Sequence, residues 1–286
     1  VKSINPKVTS LYGGVHASSY PDKVFLHEEI DYIIRGEGEI AFSMFLDELV
    51  KKEPNWDVVS GLMYRSNSKI IKNKVEEIQD LDQIKIPDYD AIQLDAYIKA
   101  GYRMNSPVKN NAPMMVTRGC PYLCTFCSAP FLDGKIIRRH SQEYMTKWIS
   151  FLYNKKGIRW FNIIDDNFTF NVKYAKNFCR TMIKLNLKGL CFGTPNGIRM
   201  ERGDPELWGL MKQAGWRAVV IAPESGSERT LENMKKKLKL ENVPRIVQDI
   251  RDADLKVQAF IIVGYPGETE EDLTLTENFI KKMKFN

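Results

Sequence analysis

The sequence predicts an α/β protein built from two successive parallel-sheet units. Between residues 113 and 286, apolar segments of strand length alternate five times with segments of helix length, a pattern typical of parallel sheets with right-handed crossovers. Before residue 76, a strand candidate runs through a glycine turn into a helix candidate, which is the unit of such a sheet. The chain has 286 residues, 43% of them hydrophobic and 27% charged, which is enough to bury a core.

The elements of the first part follow from its apolar pattern and its glycines. Each strand candidate ends at glycines, and the helix candidate carries Phe and Leu at helical spacing. A hairpin is expected where two apolar segments flank an Asn-Ser pair. The expected elements are strands at 8–12 and 31–35, a helix at 40–50 and hairpin strands at 61–65 and 69–75.

The second part predicts five β/α units whose sheet is either open or closed into a barrel. Its expected strands are at 114–117, 160–164, 190–193, 218–222 and 258–263, and its expected helices at 141–155, 171–187, 204–214, 227–254 (broken near 240–244) and 270–284. An acidic and then Pro-rich stretch separates it from the first part and reads as a linker. We therefore expect a first domain at 1–75, a linker at 76–112 and a second domain at 113–286.

Several classes of protein are excluded by simple patterns. No apolar segment approaches the ~18 residues that cross a bilayer, and the first ten residues lack the basic and then apolar pattern of a secretory signal. The sequence therefore predicts a cytoplasmic protein without a membrane span. Five cysteines in such a protein favour a reducing compartment over a disulfide framework, and Cys179 and Cys191 are expected to be buried packing residues. The chain starts with Val rather than Met, so we expect a fragment.

The net charge of +6 is unevenly distributed. The first 112 residues hold 14 Lys and Arg against 17 Asp and Glu, whereas the remaining residues hold 28 against 19, which gives net charges of −3 and +9. The basic half is either a solvated surface or a region that binds anionic ligands or nucleic acid.

The strongest chemical signal is the segment TRGCPYLCTFC at 117–127. Cys120, Cys124 and Cys127 follow a strand candidate at the spacing C-x3-C-x2-C, so their thiolates can converge on one metal centre. A structural zinc site needs a fourth ligand, for which His140 is a distant candidate. An iron–sulfur cluster held by only three cysteines keeps one iron open to a substrate or cofactor. Three unrelated thiols are the remaining alternative.

This motif resembles that of the radical S-adenosylmethionine (SAM) enzymes, including the aromatic Phe126 directly before the last cysteine. The resemblance covers most of residues 113–286. It implies an incomplete (β/α)6 TIM-like barrel with five of the six units. It also implies a [4Fe–4S] cluster on Cys120, Cys124 and Cys127, whose open iron binds SAM and whose reduction cleaves SAM to a 5′-deoxyadenosyl radical.

Further positions match the family at strand ends, where barrel active sites lie. The resemblance implies that Asp165 and Asp166 face the methionine amine; the same Asp-Asp-Asn run could instead cap a helix. It implies that Arg199 contacts SAM, although an exposed loop Arg would look the same. The turn at Glu224 and Ser225 is expected to meet the ribose and the carboxylate of SAM. The resemblance also implies a glycine turn beside the adenine, at Gly264.

The first part resembles the end of the cobalamin-binding domain found in one large group of radical SAM enzymes, a partial Rossmann-like unit. The residues that carry this resemblance are Gly13 and Gly14 after the first strand and the DYIIRGEGE segment. Glycines there would let backbone approach the nucleotide tail of cobalamin. The earlier strands of such a domain are absent, so weak or no cobalamin binding is expected from this chain, and His16 is expected to be a loop residue.

The group includes methyltransferases and oxidative cyclases similar to the anaerobic Mg-protoporphyrin monomethyl ester cyclase. We therefore expect a small-molecule substrate, an external electron donor such as flavodoxin or ferredoxin, and no nucleic acid. One alternative is a methylthiotransferase acting on tRNA or protein, but residues 1–119 lack the cysteines of its second cluster. Another is a non-catalytic iron–sulfur or metal-binding protein.

Overall fold

The computed structural model describes residues 1–103 and 106–286. The chain divides into two compact units, the first made of residues 1–84 and 128–136 and the second of residues 85–127 and 137–286. The division falls inside the stretch expected to be a linker, of which residues 104 and 105 lie outside the described residues. Residues up to 84 pack with the first unit and those from 85 with the second. The domain bounds expected from the sequence, 1–75 and 113–286, remain a prediction.

The helices and strands of the described residues begin and end as follows. The strands are β1 Leu11–Tyr12, β2 Tyr32–Ile34, β3 Leu62–Ser66, β4 Lys69–Lys72, β5 Asn111–Met114, β6 Thr117–Arg118, β7 Arg138–Arg139, β8 Trp160–Ile163, β9 Cys191–Gly193, β10 Ala218–Glu224 and β11 Lys256–Ile261. The helices are α1 Val15–Ser19, α2 Pro21–Val24, α3 Gly38–Leu49, α4 Leu94–Lys99, α5 Ala129–Leu132, α6 Gln142–Lys155, α7 Val172–Leu185, α8 Pro205–Ala214, α9 Glu228–Asn233, α10 Val243–Asp252 and α11 Glu270–Met283.

The first unit contains a four-stranded sheet in the order β1-β2-β3-β4. β1 and β2 are parallel, and β3 and β4 form the predicted antiparallel hairpin. Its two turn residues, Asn67 and Ser68, have φ angles of 48° and 60°, the left-handed conformation that two-residue hairpin turns need. Successive residues of β2 alternate between faces, so that Ile33 joins one small apolar cluster and Ile34 the other.

The second unit contains the alternating β/α pattern that the sequence predicts. β5, β8 and β9 form one parallel sheet in that order, and β10 and β11 form another. Two isolated bridges, between Phe192 and Trp216 and between Ile198 and Ile221, connect the β9 region to β10. The carboxyl ends of these strands therefore follow one another in space, and the loops that carry the predicted site residues start there.

The core of the second unit explains why these segments fold as they do. All four residues of β8 are buried, which is typical of a strand covered on both faces. Phe192 and Trp216 stack with ring centroids 4.6 Å apart. Side chains cap two of its helix starts: Asn171 accepts from the backbone of α7, and Thr269 with Asp272 forms a capping box on α11.

The predicted long helix at 227–254 is the main difference. It is divided into α9 and α10 by a longer irregular segment, residues 234–242, in which Lys235 has a φ of 53°. No helix among the described residues has both the length and the apolar character that a membrane span requires.

Candidate functional site

The three-cysteine loop follows β6 in the second unit. Gly119, with a φ of 94°, turns the chain directly before Cys120. All three cysteines of the motif are reduced; Cys120 is buried, and Cys124 and Cys127 are half-buried. Burial raises the pKa of the Cys120 thiol, while hydrogen bonds from the Tyr122 backbone and from a neighbouring amide oppose the increase.

That amide belongs to Asn167, in the loop that follows β8. Its Nδ2 atom lies 3.7 Å from the Cys120 sulfur, and its side chain is 1% exposed. The Oδ1 atom of Asn167 is buried and has no hydrogen-bond partner within residues 1–103 and 106–286. Because Asn171 caps α7, Asn167 is not needed as a helix cap. Asn167 was not predicted from the sequence as a site residue, although it is the last residue of the Asp-Asp-Asn run.

Asp165 is placed differently from its neighbours. Its carboxylate accepts from the backbone N–H groups of Val116 and Thr117, at 2.7 and 2.8 Å, and from the Thr117 hydroxyl at 2.7 Å. Burial raises the pKa of Asp165 to about 7, against the lowering effect of these bonds. Asp165 thus fastens the start of the cysteine loop to β8. Asp166 is half-buried beside the same loop, and its charge also raises the pKa of Cys120.

Arg199 lies against the cysteine loop. Its Nη1 atom is 3.9 Å from the Cys124 sulfur, and its guanidinium lies 3.6 Å from the ring centre of Tyr122. The same group is held by Glu201 and donates to the Lys237 carbonyl at 3.3 Å. Arg199 is 7% exposed, so it is not the exposed loop residue that the sequence alone allowed.

Glu224 forms a buried ion pair at the end of β10. Its Oε1 atom lies 2.9 Å from Nζ of Lys236, and the two side chains are only 8% and 6% exposed. Glu224 has a φ of 67°, a strained conformation for a residue with a side chain, and the β10 register shifts just before it. Lys236 also lies 5.9 Å from the ring centre of Phe126. Lys236 was not predicted from the sequence as a site residue; it is one of three consecutive lysines.

The turn after Glu224 is fixed by buried hydroxyl groups. Ser225 shares a hydrogen bond of 3.0 Å with Thr276 on α11, and the Gly226 N–H donates to the same Thr276 hydroxyl. A Cβ at Gly226 would lie 2.7 Å from backbone of α11, so only glycine fits there. Ser225 is therefore fully buried and supports the turn.

The glycine turn after β11 is more open. Gly264 has a φ of 80°, nothing lies within 4 Å of the Cβ position, and its N–H donates to Glu268 at 2.6 Å. The adjacent Tyr265 hydroxyl shares a hydrogen bond of 2.6 Å with Thr125 of the cysteine loop. Thr125 and Tyr265 connect the first and last strand ends of the unit, a contact that the sequence did not indicate.

Gly13 and Gly14 lie in the first unit, directly after β1. Gly14 has a φ of 89° and open space around its Cβ position. Neighbouring apolar side chains are exposed, Val15 by 65% and Tyr20 by 54%. His16 was expected to be a loop residue, but it lies in the short helix α1, where its side chain is exposed.

The described side chains do not form a site for a single metal ion. Within the described parts of the chain, no three His, Cys, Asp or Glu groups lie close enough together to hold one metal ion. His140 is buried and stacks on Tyr144 with ring centroids 4.2 Å apart. A multi-iron cluster binds each thiolate through a different iron, so its cysteines need not converge on one point.

The family comparison agrees with the cysteine loop. The family model described as the radical SAM superfamily matches residues 114–280. The chain belongs to the radical SAM superfamily. Membership implies a [4Fe–4S] cluster and SAM as cofactors. The chemistry of the donors fits this pair, because three reduced cysteines lie in one loop, near a buried amide oxygen that has no partner among the described residues and near a buried ion pair.

Two relatives and one solved structure are similar over nearly the whole chain. An uncharacterized methyltransferase of Pyrococcus horikoshii is 31% identical over 284 residues, which are 99% of this chain and 60% of that protein. The anaerobic magnesium-protoporphyrin IX monomethyl ester cyclase of Rubrivivax gelatinosus is 27% identical over 96% of this chain and 49% of its own length. The fold is similar to that of TsrM from Kitasatospora setae, a radical SAM methyltransferase solved with cobalamin and a [4Fe–4S] cluster, with a TM-score of 0.79, 17% identity and coverage of 96% of this chain and 55% of that one. The chain thus spans about half to three-fifths of the length of these proteins.

Proposed function

We propose that this chain is the SAM-cleaving core of a cobalamin-dependent radical SAM methyltransferase. The observation that carries the proposal is the loop of three cysteines, where Asn167 Nδ2 lies beside the Cys120 sulfur and Arg199 Nη1 beside the Cys124 sulfur. When bound, the cluster supplies the electron that cleaves SAM into methionine and a 5′-deoxyadenosyl radical. The residues of the chain hold, orient and shield the reacting groups.

Cys120, Cys124 and Cys127 are the proposed cluster ligands, and the residues around them are the proposed SAM contacts. The buried Lys236 ammonium retains donors beyond its bond to Glu224 and suits the methionine carboxylate. The Glu224 carboxylate suits the ribose hydroxyls. Asp165 already accepts three hydrogen bonds, whereas the buried Oδ1 atom of Asn167 has no partner among the described residues, so Asn167 is the proposed acceptor for the methionine amine, with the half-buried Asp166 carboxylate facing the same amine.

Phe126, Gly264 and Arg199 complete the proposed site with different tasks. Phe126 lies beside Lys236 and is 39% exposed, so a bound ligand would cover its ring. Gly264 offers open backbone for the approach of the adenine. All three nitrogens of the Arg199 side chain have partners, so its proposed contact with SAM is secondary to its contact with Cys124.

A role of the first unit as one part of a cobalamin-binding domain is supported by the geometry after β1. Gly14 leaves open backbone beside the exposed Val15 and Tyr20, a surface that a large apolar ring could cover. The methyltransferase names among the relatives favour methyl transfer, whereas the cyclase favours a radical cyclisation. Methyl donation by SAM leaves S-adenosylhomocysteine, so its release together with 5′-deoxyadenosine would identify the methyltransferase.

An acidic one-electron carrier protein is the proposed donor. The Lys235 carbonyl lies 3.9 Å from the Cys124 sulfur, and the Lys235 and Lys237 side chains are exposed. A cavity of about 500 Å³ is lined by these lysines and by Leu123 of the cysteine loop, together with Glu228 and Glu232. Basic groups so close to the cluster ligands would steer an acidic partner to a short electron path.

The cluster assignment is tested by anaerobic reconstitution. The wild-type protein should bind ~4 iron and turn brown. Replacing Cys120, Cys124 or Cys127 by Ala should abolish the colour and the iron, because each would remove one of three ligands. The matched controls are Cys179→Ala and Cys191→Ala, two buried cysteines away from the loop that should keep the iron. A colourless protein with stoichiometric zinc would refute the proposal.

A further inference from the structure

Two side-chain N–H donors point at sulfur atoms of the cysteine loop. Asn167 Nδ2 lies 3.7 Å from the Cys120 sulfur, and Arg199 Nη1 lies 3.9 Å from the Cys124 sulfur. Neither donor is close to its cysteine in sequence, since the two pairs are separated by 47 and 75 residues. The fold therefore brings each donor to its sulfur from a different strand end.

Both donors are held in place by their surroundings. Asn167 is 1% exposed and follows Asp165, whose carboxylate is fixed by three hydrogen bonds. The guanidinium of Arg199 is clamped between Glu201, the Lys237 carbonyl and the Tyr122 ring. Such restraint keeps the donors aimed at sulfur, and outer groups of this kind tune metal centres.

The electrostatic effect of these donors has a definite sign. One electron from a low-potential carrier converts a [4Fe–4S]²⁺ centre into [4Fe–4S]⁺, so the charge of the centre with three thiolates changes from −1 to −2. Hydrogen bonds to sulfur and a nearby cation stabilise the more negative state and raise the reduction potential. Burial of Cys120 and the charge of Asp166 act in the opposite direction.

We propose that Asn167 and Arg199 set the reduction potential of the cluster by donating hydrogen bonds to the sulfur atoms of Cys120 and Cys124. The inference rests on the proposed function, because it requires a cluster on these cysteines. The two side chains are positioning residues. They make the electron transfer from the external donor more favourable without contributing a cluster ligand.

The test is a potentiometric titration of the reconstituted protein, followed by the electron paramagnetic resonance of the reduced cluster. Asn167→Leu keeps the approximate size but removes the donor, and Arg199→Met removes donor and charge. Each variant should keep the wild-type iron content. At a fixed potential, the ratio of reduced to oxidised cluster should fall about tenfold, which corresponds to a reduction potential lower by about 59 mV. Arg199→Lys, which keeps the charge, should shift less than Arg199→Met.

Two matched variants control for general disturbance. Asn196→Leu removes an amide at the next strand end that donates to the Ile164 carbonyl, and Arg202→Met removes an exposed arginine that contacts Tyr122 but no sulfur. Both should keep the wild-type potential. Wild-type potentials in Asn167→Leu and Arg199→Met, at full iron content, would overturn the inference and leave the proposed function intact.

A measurement on the wild-type protein tests the inference even where the variants fail to fold. With ¹⁵N in the side chains of Asn and Arg, pulsed electron paramagnetic resonance of the reduced cluster should detect nitrogen coupling from both residue types. Absence of that coupling would equally overturn the inference. A wild-type protein that assembles no cluster at all would refute the proposed function and this inference with it.

Discussion

The Glu224–Lys236 pair allows the fold and the proposed site to be tested separately. Lys236→Met removes the ammonium and leaves the Glu224 carboxylate buried without its partner. The two side chains are 8% and 6% exposed and meet at 2.9 Å, so little water can compensate. Removing one member of a buried pair costs about 3–5 kcal/mol of the free energy of unfolding. With a urea dependence of ~3 kcal/mol per M for a chain of this size, the unfolding midpoint should fall by about 1–1.7 M.

The neighbouring lysines provide matched controls for this variant. Lys235 and Lys237 are exposed, so Lys235→Met and Lys237→Met should change the free energy of unfolding by no more than ~0.5 kcal/mol. The double variant Glu224→Gln with Lys236→Met removes both charges and should recover most of the lost stability. It should not recover SAM binding, measured by equilibrium dialysis, because both proposed contacts are gone. The reasoning fails if Lys236→Met is as mild as its neighbours.

Two further predictions concern Asp165 and Gly14. Burial raises the pKa of Asp165 to about 7, so the folded protein keeps the carboxyl proton of Asp165 at pH values where the unfolded chain releases it. The stabilisation from this bound proton is complete below pH ~3.8 and is lost as the pH rises through about 7. Urea midpoints should therefore fall more steeply between pH 4 and 7 for wild type than for Asp165→Asn, and equal slopes would contradict this. In a protein that joins the first unit to a complete cobalamin-binding domain, Gly14→Val should abolish cobalamin binding, since Val does not tolerate a φ of 89°. Retention of cobalamin absorption after gel filtration would argue against the assigned surface.

Local patterns predicted the order of strands and helices and the position of the cysteine loop. The strand candidate at 160–164 is an uninterrupted apolar segment apart from Asn162, and it is β8 with four buried residues. The close spacing of Cys120, Cys124 and Cys127 is enough by itself to indicate a metal centre. In both cases the residues that determine the feature lie within one short segment of the sequence.

The partners of the site side chains could not be predicted in this way. The donors to Asp165 lie 48 and 49 residues away, and only the pairing of β5 with β8 brings them together. Lys236 is one of three consecutive lysines, and nothing in its type separates it from its exposed neighbours. Its burial follows from the irregular path between α9 and α10, which the sequence reading treated as helix.

The left-handed backbone at Glu224 has a consequence for any attempt to make this protein more robust. Among the described residues, most side-chain-bearing residues with positive φ lie at turns or helix ends, whereas Glu224 ends a buried strand. Glycine at 224 would relax that conformation, and an apolar residue at 236 would relieve the burial of the lysine charge once the Glu224 carboxylate is also replaced. Directed evolution for heat resistance alone would therefore accumulate changes at 224 and 236. Each round of such selection would increase the thermal stability of the protein but remove the carboxylate and the ammonium group that are proposed to hold SAM.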